Sequence, residues 1–300
     1  MAGAESDLRG REMMGYRARK VQVSPLAPLA QGLAIAALPV LVVAVLATRM
    51  GKVEPAQGIM LLTLSGVMAV AALAIGGVIA LDIWRTGRRG MGTLFRVAVL
   101  ASLALAYPAY LTLQAFRLPP LNDISTDLDD PPAFSTKPEV LKLRGQTAPR
   151  AFDQGQKNAQ IQAYPNVRSL ILELDQDEAF ETVHDAVISL GWRIIEETTF
   201  KSGAATTAPV TPVPPRRGQA QRPPVPPASA ARARPVEGRI EAIAESRLLR
   251  FQEDITIRLR PQEGGVKVDL RSASRVGRHD FGANASRILR LLEDLNAPKE

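Results

Sequence analysis

The chain has 300 residues, 46% of them hydrophobic and 22% charged, and it contains no cysteine. Its formal net charge of +7 lies wholly in residues 1–117, where twelve basic residues stand against five acidic ones, while residues 118–300 hold 25 of each. The composition excludes disulfides, thiolate nucleophiles and cysteine-based zinc sites, fits an oxidising compartment, and argues against nucleic-acid binding, which places positive charge on the folded domain.

Residues 1–25 form a polar tail carrying Arg9, Arg11, Arg17, Arg19 and Lys20. Three charge-free runs follow, at 21–48, 55–81 and 97–116. About 20 apolar residues suffice for a helix to cross a bilayer. The sequence therefore predicts three transmembrane helices at about 26–48, 58–84 and 97–116, with the lipid bilayer as a partner. A cleaved signal peptide does not account for three runs. The tail carries five basic residues and the second loop four (Arg85, Arg88, Arg89 and Arg96), whereas the first loop has only Arg49 and Lys52. Basic residues near span ends stay in the cytoplasm, which makes 1–25 a cytoplasmic tail and sends the large C-terminal region outside.

Trp84 fits an interfacial anchor. Pro39 and Pro108 fall inside spans, either lining a path or simply packed. Ala69, Ala72, Gly76, Gly77 and Ala80 are small enough for close helix contact. No Asp, Glu, Lys, Arg or His lies centrally in a span, which argues against a channel or transporter.

Residues 117–165 are rich in proline and read as an extended juxtamembrane segment, either a tether or one that hugs the surface. Within them Asn122, Asp123, Asp127, Asp129 and Asp130 form an acidic cluster. A calcium loop needs a central glycine and a terminal glutamate. Both are missing, so a solvated turn with Asx caps is the favoured reading.

A folded domain is expected over 166–298. Leu170, Leu172 and Leu174 alternate with Ser169, Ile171 and Glu173 as a short strand. Asp175 and Glu178 open a helix whose apolar face is Ala179, Phe180, Val183, Ala186, Val187 and Leu190, and Gly191 ends it. A second strand spans 192–200. Residues 203–235, with nine prolines and five arginines, read as a disordered insert. They offer either a passive loop or a contact for a groove or an anionic polymer. Strands follow at 238–245, 255–260 and 266–272, the last two joined by a turn at 263–265. Their alternation predicts an antiparallel sheet with one face covered and one wet, the wet one bearing Arg239, Glu241, Arg258, Arg260, Lys267, Asp269 and Arg271. Leu248, Leu249 and Phe251 in a strand connection seal the core edge or offer an apolar contact. A last helix runs over about 282–295. The fold class is thus three N-terminal transmembrane α-helices plus a C-terminal α+β domain, a mostly antiparallel sheet of about five strands with two helices on one face.

The motif Arg271-Ser272-Ala273-Ser274-Arg275-Val276-Gly277-Arg278-His279-Asp280-Phe281-Gly282-Ala283-Asn284, followed by Arg287-Ile288, occurs together with Gly191-Trp192, Gly238-Arg239-Ile240-Glu241-Ala242 and Phe251-Gln252-Glu253-Asp254. In this order they resemble the bacterial and plastid domain-of-unknown-function family 1499, over about 122–132 and 165–298 without the insert. The resemblance implies an envelope or lumenal α+β domain, here on the periplasmic side of a bacterial inner membrane. It implies no reaction, cofactor or catalytic residue. His279 stands where a smaller polar residue is expected.

The densest polar constellation is Ser272, Ser274, Arg275, Gly277, Asp280, Asn284 and Arg287. It is either an anion site at a helix N-terminus or a structural cap in which Asp280 caps the last helix, Gly277 takes a positive φ and Asn284 ties the loop. A Ser-His-Asp hydrolase lacks its nucleophile elbow, and two histidines are too few for a metal site. No cofactor is expected. The leading expectation is a membrane-anchored envelope protein, not an enzyme, whose periplasmic domain binds a ligand or an envelope protein or acts as a scaffold. The alternative is an envelope enzyme acting on an anionic small molecule or glycan through Arg275, Asp280 and Asn284.

Overall fold

The computed structural model describes residues 24–87, 89–145, 154–200 and 237–297. The expected tail and the insert at 203–235 lie outside these, apart from residues 24 and 25. The chain divides into two compact units, 1–110 and 111–300.

The first unit is built from three helices long and apolar enough to cross a membrane: α1 (Ala27–Arg49), α2 (Pro55–Thr86) and α3 (Met91–Arg117), the last continuing into the second unit. α2 and α3 extend beyond their charge-free runs by a few residues, because charged residues at the ends continue the helical backbone, whereas α1 starts six residues inside its run. At the start of α2, the Glu54 amide donates to Gln57 Oε1 at 3.1 Å within a capping box. Small residues make the contact surface: Ala30, Ala34, Ala37, Ala69, Ala72, Ala101 and Ala104 are buried. In a bilayer lipid supplies no hydrophobic drive between helices, so close backbone approach provides the packing. Ser65 Oγ donates to the Ala37 carbonyl at 2.9 Å across the α1–α2 contact. Gly76 joins this surface, but Gly77 and Ala80 point outward. Pro39 is exposed on its helix, and Trp84 is 89% exposed, as suits an interfacial ring.

The second unit holds a six-stranded antiparallel sheet. Its strands are β1 (Asp123–Ser125), β2 (Leu170–Leu172), β3 (Arg193–Thr198), β4 (Gly238–Glu245), β5 (Gln252–Gln262) and β6 (Gly265–Ser274). The order is β1-β6-β5-β4-β3, with β2 also on β6 beyond β1. The sixth strand is β1. Three residues are too few for a period-2 pattern to be legible, so its segment reads as irregular from sequence alone. Its outer edge is closed by a side chain: Gln160 accepts from the Ser125 amide at 3.2 Å and donates to the Ser125 carbonyl at 2.6 Å. Gln160 belongs to α5 (Gln154–Ala163).

One sheet face meets α6 (Gln176–Ser189) and α7 (Ala283–Asn296). Asp175 caps α6 by accepting from the Glu178 amide at 2.9 Å, and Gly191 follows it at φ 72°. Ile240, Ile257, Leu259 and Leu270 from the sheet, with Val183, Ile288 and Leu291 from the helices, form the centre of the core. Each such fully buried side chain contributes roughly 1.5–3 kcal/mol. Gln262 pairs with Gly265 around a two-residue turn. Gly264 and Gly265 there take φ of 86° and 143°. Leu249, between β4 and β5, is buried, while Leu248 and Phe251 are half-buried.

The other face is not wet, contrary to the alternation pattern. Glu241, Thr256, Arg258, Asp269 and Arg271 are all buried. Residues 126–145, including α4 (Pro138–Leu143) beside β3, form a strap over that face. Period 2 reports which side chains share a face, but a polar face can be buried when a second polar segment neutralises it. The juxtamembrane segment supplies that cover, lying on the domain surface and not serving as a free tether.

Candidate functional site

The motif at 271–287 does not form one site. Arg275 faces the strap side. Its Nη2 donates to Asp254 Oδ1 at 2.6 Å, its Nε to the same oxygen at 3.1 Å, and its Nη1 to Gln252. Arg271 faces the same side, and Ser272, Ser274, Gly277, Asp280, Asn284 and Arg287 lie toward α7. Asn284 is fully buried and makes four bonds. Its Nδ2 donates to the Asn122 carbonyl at 3.1 Å and to Ser274 Oγ at 3.0 Å. Its Oδ1 accepts from Ser272 Oγ at 2.8 Å and from Arg287 Nη1 at 2.9 Å. Ser274 Oγ also donates to Glu253 Oε1 at 3.2 Å, and Arg287 pairs with Glu253. Burial lowers the Arg287 guanidinium to about 10, which still leaves it charged beside that carboxylate.

The loop between β6 and α7 has a second function in the geometry: it fastens the residues that leave α3. Gly277, at φ 85°, turns its carbonyl to accept from Asn122 Nδ2 at 2.8 Å. The Asp280 amide donates to the Leu121 carbonyl at 2.8 Å, and the Ser274 amide to the Asn122 carbonyl at 2.8 Å. His279 Nε2 lies 3.2 Å from the Leu118 carbonyl, while its Nδ1 accepts from the Phe281 amide at 2.9 Å. The Asp280 carboxylate accepts from the Gly282 amide at 2.9 Å and the Asn284 amide at 2.8 Å, satisfying donors at the start of α7. Burial pushes the Asp280 carboxyl above its ordinary value, against the pull of these donors. Nearby, burial and then the Asp280 charge push the Tyr164 phenol up to about 12. These contacts make residues 118–122 and the motif loop a latch.

A second polar layer lies under the strap. Arg271 holds Asp123 with two bonds, Nε to Oδ1 at 3.0 Å and Nη2 to Oδ2 at 2.7 Å. Asp269, fully buried, accepts from Arg258 Nη2 and Arg260 Nη2, each at 2.9 Å. Asp130 takes Arg258 Nη1 at 3.0 Å and Arg260 Nη1 at 2.8 Å. Asp127 accepts Lys267 Nζ at 2.8 Å on Oδ2 and the Asp129 and Asp130 amides on Oδ1. The acidic cluster is thus an Asx turn whose outer oxygens neutralise the sheet. Arg144 stacks over the Phe134 ring at 4.2 Å, donates to the Ser135 carbonyl at 3.3 Å and approaches Asp254 at 3.4 Å.

Midway along the strap, the Ser135 amide donates to Glu241 Oε1. Lys137 Nζ meets Glu196 Oε1. Burial pushes the Glu241 carboxyl up, the Ser135 amide and Arg144 pull it down, and the net direction is upward. Burial also pushes Glu196 up, but the Lys137 and Ser135 hydrogen bonds outweigh it and leave the carboxyl below its ordinary value.

This layer was missed in the sequence. Its signal was present as complementarity, four aspartates at 123–130 against Arg258, Arg260, Lys267 and Arg271. Chemically, the bonds named in both layers are all made within the domain. His184 lies on α6, 3.7 Å from Glu197 and well removed in sequence from the motif. Among the described residues no three His, Asp or Glu side chains are grouped to hold a metal ion.

No curated protein and no solved structure matches the chain. A family model described as "Protein of unknown function (DUF1499)" matches residues 123–295, more than half of the chain, from the first residue of β1 almost to the end of α7. The matched span takes in both the strap and the latch loop, and the chain belongs to the DUF1499 family.

Proposed function

We propose that this membrane protein is a non-enzymatic envelope component, in which three helices in the bacterial inner membrane hold the α+β domain in the periplasm as a binding or scaffolding module. On this reading residues 1–25 are cytoplasmic, 117–165 are the juxtamembrane segment, and the domain spans 166–298 with β1 and the strap added to it. The observation that carries the proposal is the latch. Residues Ser272, Ser274, Gly277, Asp280, Asn284 and Arg287 bond to one another, to Glu253 and to residues 121–122, and Arg275 bonds to Asp254. A motif spent in this way holds the domain to the end of α3, only five residues before β1.

The periplasmic side rests on the basic tail and the second loop. The alternative, an envelope enzyme using Arg275, Asp280 and Asn284 on an anion, requires these groups to face a substrate, whereas each is engaged inside the domain. Partners of the module are an envelope protein or an anionic ligand.

The test is topological and biochemical. A periplasm-specific reporter fused after Glu300 should be active, and protease added to spheroplasts should digest the C-terminal domain. A reporter active only in the cytoplasm overturns the orientation. Turnover of glycans or phosphate esters by the purified full chain, lost in Arg275→Ala without loss of folding, overturns the non-enzymatic reading.

A further inference from the structure

We infer that Glu241 and Glu196 form a proton-binding seat for the strap, holding one proton between them, and that loss of this proton loosens residues 133–145 from the sheet. The two glutamates are register partners on β4 and β3, at the sheet edge beside α4. Glu241 is fully buried, and the Glu196 side chain is only 10% exposed. Ser135 lies between them, its amide donating to Glu241 Oε1 and its side chain helping to lower Glu196. The remaining oxygen of each carboxylate, Oε2, is buried without a hydrogen-bond partner among the described residues. So is the hydroxyl of Thr256, the register partner of Glu241 on β5.

Two carboxylates brought together out of water do not both ionise readily, and a buried anionic oxygen with no donor is costly. The surrounding charges decide which one keeps the proton. From the strap come Lys137, Glu139 and Arg144; from the sheet come Arg239 on β4, Asp254 on β5 and Arg271 on β6. Lys137 is committed to Glu196, and Arg144 is shared between the Ser135 carbonyl, Asp254 and the Phe134 ring. Arg271 is held by Asp123. The negative charge therefore resides on Glu196 and the proton on Glu241. Oε1 already accepts from Ser135, so the proton belongs on Oε2. The upward direction for Glu241 and the downward one for Glu196 agree with this assignment.

The sign follows by linkage. A carboxyl raised in the folded state stabilises fully below its ordinary value and loses that contribution as pH rises through the raised one. Glu196, lowered, loses its contribution only as pH falls below the ordinary value. The two windows lie on opposite sides, so alkaline loosening of the strap belongs to Glu241.

Hydrogen exchange of the full chain in detergent micelles, corrected for intrinsic rates, tests this between pH 5 and 9. Protection of peptides within 133–145 should fall as pH rises across the range, while peptides within 255–259 hold. Glu241→Gln, neutral at every pH, should keep the strap protected throughout. Glu196→Gln should retain the fall but move its midpoint to lower pH, because the like charge is gone. Equal falls in wild type and Glu241→Gln, a strap indifferent to pH in the wild type, or an unmoved midpoint in Glu196→Gln would each overturn the inference.

Discussion

Arg271 and Asp123 lie two rungs apart on neighbouring strands and grip each other through two parallel hydrogen bonds, 148 residues apart in sequence. Burial raises the Asp123 carboxyl even with the guanidinium beside it, so desolvation outweighs the pairing. Such a pair adds little net stability over an apolar replacement, yet removing Asp123 takes two charge-assisted bonds from a buried guanidinium that keeps only weaker contacts such as the Pro132 carbonyl. Asp123→Ala should destabilise the domain by about 3–5 kcal/mol, measured by denaturant unfolding of the full chain in micelles. A loss below about 1 kcal/mol would mean that Arg271 finds another partner.

Asn284 fills its hydrogen-bonding capacity with four partners while wholly out of solvent. Asn284→Ala leaves the Asn122 carbonyl and two hydroxyls short of partners. It should destabilise by about 3 kcal/mol and raise protease cleavage at residues 118–122. If those residues stay protected while stability falls, the latch does not depend on this amide.

Gly265 sits at φ 143°, and a Cβ there would lie 2.0 Å from the Leu172 carbonyl oxygen. Gly265→Ala should push β2 off β6 and destabilise by about 1–3 kcal/mol. Exchange of the 170–172 amides should quicken more than that of β5. Unchanged exchange of β2 would contradict this.

The Asp127 carboxyl is pushed up by burial, but Lys267 and the amides of Asp130 and Asp129 outweigh this, and it lies below its ordinary value. Its stabilisation is present above the ordinary aspartate value and is lost as pH falls through the lowered one. Melting temperature should therefore drop on acidification below about pH 4, and less steeply in Asp127→Asn. Parallel acid limbs in the two proteins would assign the drop to other carboxylates.

The membrane helices and most of the sheet were legible without coordinates, because their signals are local. An uncharged run of twenty residues has one stable solution in a bilayer. The alternation in β5 and β6 and the Asp175 cap of α6 are likewise written within a few residues of where they act. DUF1499 membership was legible in the motif at 271–287, but what the motif touches was not. Its partners Leu118, Leu121 and Asn122 lie about 150 residues away, and no period or spacing encodes that distance.

Charge balance in residues 118–300 and the three apolar runs are properties of the chain alone, and they determined the class of protein. Whether the second sheet face met water was decided only in three dimensions. Asp127 and Asp130 look like a solvated turn until folding places Arg258, Arg260 and Lys267 within 3 Å of one or the other. The reason is electrostatic: a charged residue's preference for water reverses once opposite charges are fixed beside it, and which charges those are is a property of the fold.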